Sequence, residues 1–460
     1  MKAIALIDGE HYIPVNKSAL QQLRDERGYD FLAAVFIGGW EKIGTPQDLK
    51  QLGLPIIIEK NPLEGIAKAL EEYKPQVVVD LSDEPVVGYI ERFQFANLIL
   101  SKNVIYEGAD FCFTPPLYLD IAKKPSMAVG GTGKRVGKTA VGAYTGRVLS
   151  GQEGRRDINY FPCIVTMGRG GPPQPEVIEG DKIEMTPQYF LKMSSMGKHA
   201  ASDHFEDALL ARLTTIGCRR CGGGMAGVVF TSIVPKGVEV ANELPCKFII
   251  LEGSGASLPP VKSDAWMMVV GAHQPLQYIS SYMGPYRIMM SDLIVLTMCE
   301  EPMASKEKVE EMDKLLRHIN PKAKVVHTVF RPKPLESLKG KNVLYTTTAP
   351  PSVGKIIVEY LEEHYKCNVL AVSHHLSHRP KLREDIEKAL SEFPQINVLL
   401  TEVKAASIDV ATKLGVENGL DVVYMDNIPV TVGGDGELEE LIIELAEKAS
   451  QRFAQRKIGE

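Results

Sequence analysis

Residues 126–148 read SMAVGGTGKRVGKTAVGAYTGRV, and this stretch decides the fold. Ser126 to Val129 has the make-up of a short buried strand. Gly130 to Gly137 is rich in glycine, and Lys138-Thr139 opens a segment with helical spacing. A strand, a glycine loop and a helix start, in that order, lay out a phosphate-binding P-loop. Glycines let the backbone approach the phosphates, and successive N–H groups then point at them. The helix N-terminus adds partial positive charge. The expected nucleotide contacts are Gly131, Thr132, Gly133, Lys134, Arg135, Val136, Gly137, Lys138 and Thr139. Lys138 is expected on the β- and γ-phosphates, and the Thr139 hydroxyl on Mg²⁺.

The spacing departs from the common pattern, which leaves four residues between the first glycine and Gly-Lys-Thr. Here Gly131 leaves five and Gly133 leaves three. The longer form, from Gly131-Thr132 to Val136-Gly137-Lys138-Thr139, resembles the P-loop of dethiobiotin synthetase. That family closes a ring with ATP and releases phosphate.

A chain of 460 residues has room for two or three domains. It is 44% hydrophobic, enough for sizeable cores, and its net charge of -6 gives no general affinity for nucleic acid. Seven cysteines scattered over this length fit reduced thiols in a cytoplasm better than a disulfide framework. The apolar run in MKAIALIDGEHY is too short for a signal peptide and reads as a strand. No stretch approaches the ~18 apolar residues of a membrane span.

Outward from the P-loop, the pattern is α/β throughout. Residues 1–124 alternate apolar runs (Ala3–Ile7, Phe31–Ile37, Pro55–Ile58, Val77–Asp80, Val104–Tyr106) with amphipathic stretches. This predicts a Rossmann-like parallel sheet covered by helices. Asp8, Glu10, His11, Asp80, Asp83 and Glu84 sit at strand ends, and line a cleft or tie loops and caps. Residues 125–338 are the expected P-loop domain, a three-layer unit with a parallel sheet. The pattern restarts in 339–460 as a C-terminal α/β domain.

Within the central domain, Cys163–Met167 reads as a strand ending in Gly168-Arg169-Gly170-Gly171. Arg169 there suits a phosphate or carboxylate, or is a solvated turn residue. Lys198 and His199 lie in a loop before a helix of roughly Phe205–Thr215. Ser202 or Asp203 is placed to cap that helix. Gly217-Cys218-Arg219-Arg220-Cys221-Gly222-Gly223-Gly224 reads as a loop. Its adjacent guanidiniums make a site for a polyanion, and Cys218 with Cys221 has the spacing of a metal or redox pair without a second pair to complete it. The strand Cys246–Leu251 ends in Glu252, the position that usually supplies the second Mg²⁺ contact after a P-loop. Farther on, His374, His375 and His378 cluster after a strand, and Glu402 and Lys404 end another and are candidates to face the cleft.

Four stretches together resemble the cyclic 2,3-diphosphoglycerate synthetase family of methanogenic archaea. They are Ile7-Asp8-Gly9-Glu10-His11-Tyr12, the P-loop from Gly130 to Thr139, Gly168-Arg169-Gly170-Gly171-Pro172, and Cys218-Arg219-Arg220-Cys221 with its glycines. The resemblance covers the whole chain. It implies that ATP joins the two phosphates of 2,3-diphosphoglycerate into an intramolecular anhydride, releasing ADP and phosphate. The repulsion between those phosphates must be offset by cations in a water-poor site. Arg169, Lys198, His199, Arg219 and Arg220 are the candidates for holding the substrate. Lys138, Lys134, Arg135, Arg169, Arg219 and Arg220 are the candidates for stabilising the reacting charge. Thr139, Glu252 and Asp203 are the candidates for Mg²⁺. A homodimer in the cytoplasm, with no nucleic-acid or membrane partner, completes the expectation. Two other readings stay open: a P-loop small-molecule kinase, as in the lipid A 4′-kinase family, and a nucleotide-dependent switch protein.

Overall fold

The computed structural model describes residues 1–43, 45–155 and 157–458. They form two compact units. The first holds residues 1–117 with 276–290; the second holds 118–275 and the chain from 291 onward.

The first unit is built on strands β1 (Lys2–Ile7), β2 (Asp30–Phe36), β3 (Ile56–Ile58), β4 (Val77–Asp80), β5 (Ile105–Glu107) and β6 (Cys112–Phe113). Their order is β3-β2-β1-β4-β5-β6, parallel except for β6. The strands are apolar on both faces because helices cover both faces. Asp8, fully buried, accepts hydrogen bonds from the Glu10 and Asp83 backbones at 3.2 and 2.6 Å and contacts His11 at 2.8 Å. Asp80 accepts from Ser82, from Tyr106 at 2.6 Å and from Arg92 at 3.3 Å. These two strand-end acids tie loops. Residues 276–290 form two short helices, Gln277–Ser280 and Gly284–Met289, that bury Ile279, Tyr286 and Ile288 in this unit. Asn97, on the helix Tyr89–Ser101, fixes them: it donates to the Tyr282 carbonyl at 2.5 Å and accepts from the Tyr286 N–H at 2.8 Å.

The second unit carries β7 (Ser126–Gly131), β8 (Pro162–Gly168), β9 (Glu176–Glu179), β10 (Thr214–Cys221), β11 (Thr231–Ser232), β12 (Phe248–Glu252), β13 (Ala265–Gly271), β14 (Leu293–Thr297), β15 (Lys324–Pro334), β16 (Asn342–Thr346), β17 (Asn368–Ser373), β18 (Val398–Glu402) and β19 (Asp421–Gly434). Among the described residues they make one sheet, ordered β11-β10-β8-β12-β7-β13-β14-β15-β19-β18-β16-β17 with β9 beside β10. From β10 to β15 the strands are parallel, with β7 between β12 and β13. From β19 to β17 they are parallel again. The two half-sheets meet antiparallel at β15 and β19.

That junction positions the site. β14 last pairs with β15 at Leu296↔His327, whereas β18 ends opposite Met425, which pairs with Pro334. The β15–β19 ribbon therefore runs on between His327 and Pro334, about 20 Å at ~3.3 Å per residue, with neither half-sheet complete beside it. Because the halves run in opposite senses, their carboxyl ends face each other across this gap. The helix Leu438–Ile458, grouped with the C-terminal domain by its sequence pattern, packs Leu441, Ile442, Leu445 and Ala446 into one core with Met127, Val141, Ile250 and Met267. Each fully buried side chain of this size stabilises by roughly 1.5–3 kcal/mol. The chain thus returns to close the P-loop core after forming the second half-sheet.

Candidate active site

β7 delivers the glycine loop, and the helix Lys138–Leu149 starts at its end. Gly137 has φ 85°, and a β-carbon there would lie 2.2 Å from the Phe330 ring, so glycine is required on both counts. Thr132 Oγ1 donates to Gln274 Oε1 at 2.5 Å, anchoring the loop to the end of β13. Lys134 and Arg135 are exposed on the loop and line a cavity of about 790 Å³, together with Gly137, Lys138 and Thr139.

Lys138 turns inward, its Nζ 2.5 Å from Glu252 Oε1, with Lys138 8% and Glu252 1% exposed. Burial works against the ammonium charge, but Glu252 and Asp203 hold Lys138 above the ordinary lysine range. Burial likewise works to raise the Glu252 carboxyl, yet Lys138, Asp207 and Thr139 keep it below the usual value. Asp207 is wholly buried and pushed well above the carboxylate range, by burial first and by Glu252 second. Both Asp207 oxygens and Glu252 Oε2 lack a hydrogen-bond partner. The two carboxyls therefore share a proton or await a cation. Asp203 lines the cavity one helical turn before Asp207, and burial raises it as well.

The arginines divide. Arg169 lines the cavity, with Nη2 2.6 Å from where a Gly255 β-carbon would stand. Arg220 lies alongside: Nη2 donates to the Ser254 carbonyl at 2.8 Å, and Nη1 to the Gly222 carbonyl at 2.8 Å. Burial, then the like charge of Arg169, lower the Arg220 pKa. Arg219 faces away, donating to the Gly171 and Pro172 carbonyls at 3.0 and 2.8 Å. This follows from a correction: the Cys218–Cys221 stretch is the end of β10 and not a loop. Neighbours on a strand point to opposite faces. The same alternation buries Cys218 and exposes Cys221, so the pair does not converge on a metal. Lys198 also lies off the cavity, in an ion pair with Glu176, which His204 approaches at 3.4 Å. His199 packs its ring over Gly170. The expected helix from Phe205 spans Asp203–Ala211.

The second half-sheet supplies the opposite wall: Thr348, Glu402, Lys404 and Asn427, with His374 and Tyr360. Glu402 accepts from Thr347 Oγ1 at 3.1 Å, Thr348 N at 3.2 Å, Thr348 Oγ1 at 2.9 Å and Asn427 Nδ2 at 3.3 Å. Lys404 Nζ lies 3.7 Å from both Glu402 and Glu206. Burial pushes Glu206 up to about 8. The three histidines have separate jobs. His374 lines the cavity and bonds the Ala349 carbonyl at 2.9 Å, His375 pairs with Asp385 at 2.8 Å, and His378 caps the helix Arg379–Glu392.

Sequence reasoning missed Asp207, Glu206, Phe330 and Gln274. Asp207 had a signal: it follows Asp203 by four residues, which puts both on one helix face. Phe330, on β15, and Gln274, in the turn after β13, carry none, because only the sheet order brings them to the P-loop.

Three family models adjoin along the chain. They are the cyclic 2,3-diphosphoglycerate synthetase N-terminal domain over residues 2–114, its P-loop domain over 126–329 and its C-terminal domain over 334–428. A relative from Methanothermus fervidus, named cyclic 2,3-diphosphoglycerate synthetase, is 48% identical over 460 residues, covering 98% of this chain and 98% of its own. Relatives of the same name from Methanothermobacter thermautotrophicus and Rubrobacter xylanophilus are each 48% identical, covering 99% and 96% of this chain and 98% and 97% of their own. With a P-loop cavity walled by arginines and likeness of this degree along nearly all its length, the chain belongs to the cyclic 2,3-diphosphoglycerate synthetase family.

Proposed function

We propose that the chain uses ATP to close 2,3-diphosphoglycerate into its cyclic anhydride, releasing ADP and phosphate. The observation that carries this is one cavity lined by both the P-loop cations and Arg169, with Arg220 packed behind Ser254. Its volume of about 790 Å³ lies within the ~300–1,000 Å³ of small-molecule sites. Met298, Met303, Phe330 and Tyr360 give the cavity apolar surface suited to a nucleotide base, beside the Arg331–Glu300 ion pair. Arg169 suits the anionic groups of the substrate.

The substrate carries two phosphates and a carboxylate. Lys134, Arg135, Lys138 and Arg169 offset the repulsion as the phosphates approach. Arriving phosphate competes with Glu252 for Lys138. The γ-phosphoryl moves to an oxygen of one substrate phosphate, and its bond to ADP breaks. An oxygen of the other substrate phosphate then attacks the phosphorus just activated, and inorganic phosphate leaves with the bridging oxygen. Phosphate oxygens are already deprotonated, so no general base is needed.

Thr139, Glu252 and Asp203, with Asp207 added, would give a hard cation part of its ligands, since three of their buried oxygens have no donor. Among the described residues no group of three or more His, Cys, Asp or Glu side chains could hold a metal by itself. Mg²⁺ suits such a half-built site because it keeps water and phosphate oxygens as ligands. When bound it supplies charge neutralisation on the transferring phosphates. The free state of all seven cysteines supports a cytoplasmic setting. Among the described residues no helix is long and apolar enough to cross a membrane. A homodimer is the expected assembly, which light scattering on the purified protein tests.

Phosphorus NMR of protein, 2,3-diphosphoglycerate, ATP and Mg²⁺ tests the reaction. New anhydride resonances, with ADP and phosphate in equal amounts, are expected. A phosphorylated acceptor without free phosphate would identify a kinase instead. With ¹⁸O on the substrate phosphates, one label per released phosphate is expected from the two-step route.

A further inference from the structure

We infer that the crevice at the carboxyl ends of β16 and β18 holds the substrate's carboxylate, with Lys404 as its counter-charge. The inference rests on the reading of 2,3-diphosphoglycerate as substrate and goes beyond it by giving the second half-sheet a ligand.

Three observations converge on the crevice. First, the strand order β17-β16-β18-β19 reverses direction between β16 and β18. In an open parallel sheet, ligands bind just outside the carboxyl ends at such a reversal. Thr347 and Thr348 follow β16 there, Glu402 ends β18, and Lys404 lies two residues beyond it. Second, the backbone at this point is unusual. Ala405 has φ 54°, left-handed for a residue with a β-carbon, and a π-helical turn follows over Ser407–Thr412. Both features concentrate at functional sites. Here they turn the chain so that Lys404 lines the cavity, with 35% of its side chain open.

Third, the ammonium has capacity left. Glu402 is already satisfied by four donors. The 3.7 Å from Lys404 to Glu402 and to Glu206 exceeds the ~2.7–2.9 Å of a charge-assisted hydrogen bond. Lys404 is therefore held by charge and remains able to bond an incoming oxygen.

The substrate's chemistry selects the carboxylate. Both phosphates must be drawn together where the P-loop and Arg169 lie. The carboxylate takes no part in ring closure, and serves as a handle only if it is gripped from elsewhere. The wall opposite the P-loop is where such a grip belongs.

The test compares wild type with Lys404→Met, which keeps the aliphatic stem, and Lys404→Arg, which keeps the charge. Each is assayed with 2,3-diphosphoglycerate and with propane-1,2-diol bisphosphate, in which a methyl group replaces the carboxylate. Lys404→Met is expected to raise KM for 2,3-diphosphoglycerate by tenfold or more, with KM for ATP unchanged. Lys404→Arg is expected to recover most of that loss. The carboxylate-free bisphosphate is expected to bind wild type and Lys404→Met equally. If Lys404→Met weakens both bisphosphates alike, Lys404 grips a phosphate and the inference is overturned. It is also overturned if KM for 2,3-diphosphoglycerate is unmoved, or if KM for ATP rises equally. Should Lys404→Met fail to fold, Lys404→Arg with a tenfold loss on both bisphosphates overturns it too. Absence of cyclic product from wild type is a separate result and removes the underlying reading.

Discussion

The two half-sheets of the second unit end in carboxyl edges of opposite character. The β7 edge ends in glycines and presents backbone N–H groups and a few long cations. The β16–β18 edge ends in threonines and Glu402, and works through side chains already bonded to one another. A phosphate tail of constant shape is well served by a bare backbone. A small substituent that must be told from its analogues needs side chains. On the proposed reading, one cavity is given a generic wall and a selective wall by running its two sheets in opposite senses.

The largest break in this comparison should come from the generic wall. Lys138→Ala is expected to lower kcat roughly a thousandfold, the scale of losing a charged stabiliser at a transferring phosphoryl group. The loss should appear with any acceptor, whereas a loss on the opposite wall should depend on which acceptor is used. Steady-state kinetics on both bisphosphates would show it.

Next come the adjacent arginines. Arg220→Ala removes a guanidinium beside Arg169 and is expected to raise KM for 2,3-diphosphoglycerate about 10- to 100-fold. Arg219→Ala, which loses contacts to two carbonyls, should raise it no more than about threefold. Equal effects would mean that standing beside Arg169, as Arg220 does through the alternation along β10, does not matter for binding.

A smaller effect concerns pH. Glu206 is pushed up to about 8 by burial, while an unfolded glutamate ionises near 4.3. Between those values the folded protein holds a proton that the unfolded chain has lost. Stability therefore falls as pH rises from about 4.3 to 8 and levels off above. Glu206→Gln is expected to flatten this slope, which melting curves at pH 5, 7 and 9 would measure.

The smallest effect is expected at Lys198. Its ion pair with Glu176 is partly exposed, and such pairs contribute about 0–1 kcal/mol. Lys198→Ala should shift Tm by a few degrees at most.

The generic wall is the part that the sequence displays. A glycine loop, Gly-Lys-Thr and an acid at a strand end are local features, and local order reads directly from the chain. Glu252 follows from a single apolar run. The selective wall is another matter. Lys404 and Glu402 stand out as a strand end, but nothing nearby says that their strand runs against the P-loop strand. That fact lives in the pairing of β15 with β19. The length of both strands is hard to read in the sequence, because Pro332, Pro334, Pro429 and the glycines at 433 and 434 interrupt the alternation. Asp207 shares a helix face with Asp203, but its burial is not legible, since a buried acid inside a helix has the same pattern as a surface one.

The short helices at 276–290 have a practical corollary for anyone dissecting the molecule. They pack with the first 117 residues as one compact unit, yet their codons lie within the span of the P-loop family model. A gene fragment stopping at Leu117 would encode a vessel without its stopper, with apolar walls bared to water. Any rearrangement that discards the front unit must excise both pieces together, and any that transplants it must carry both.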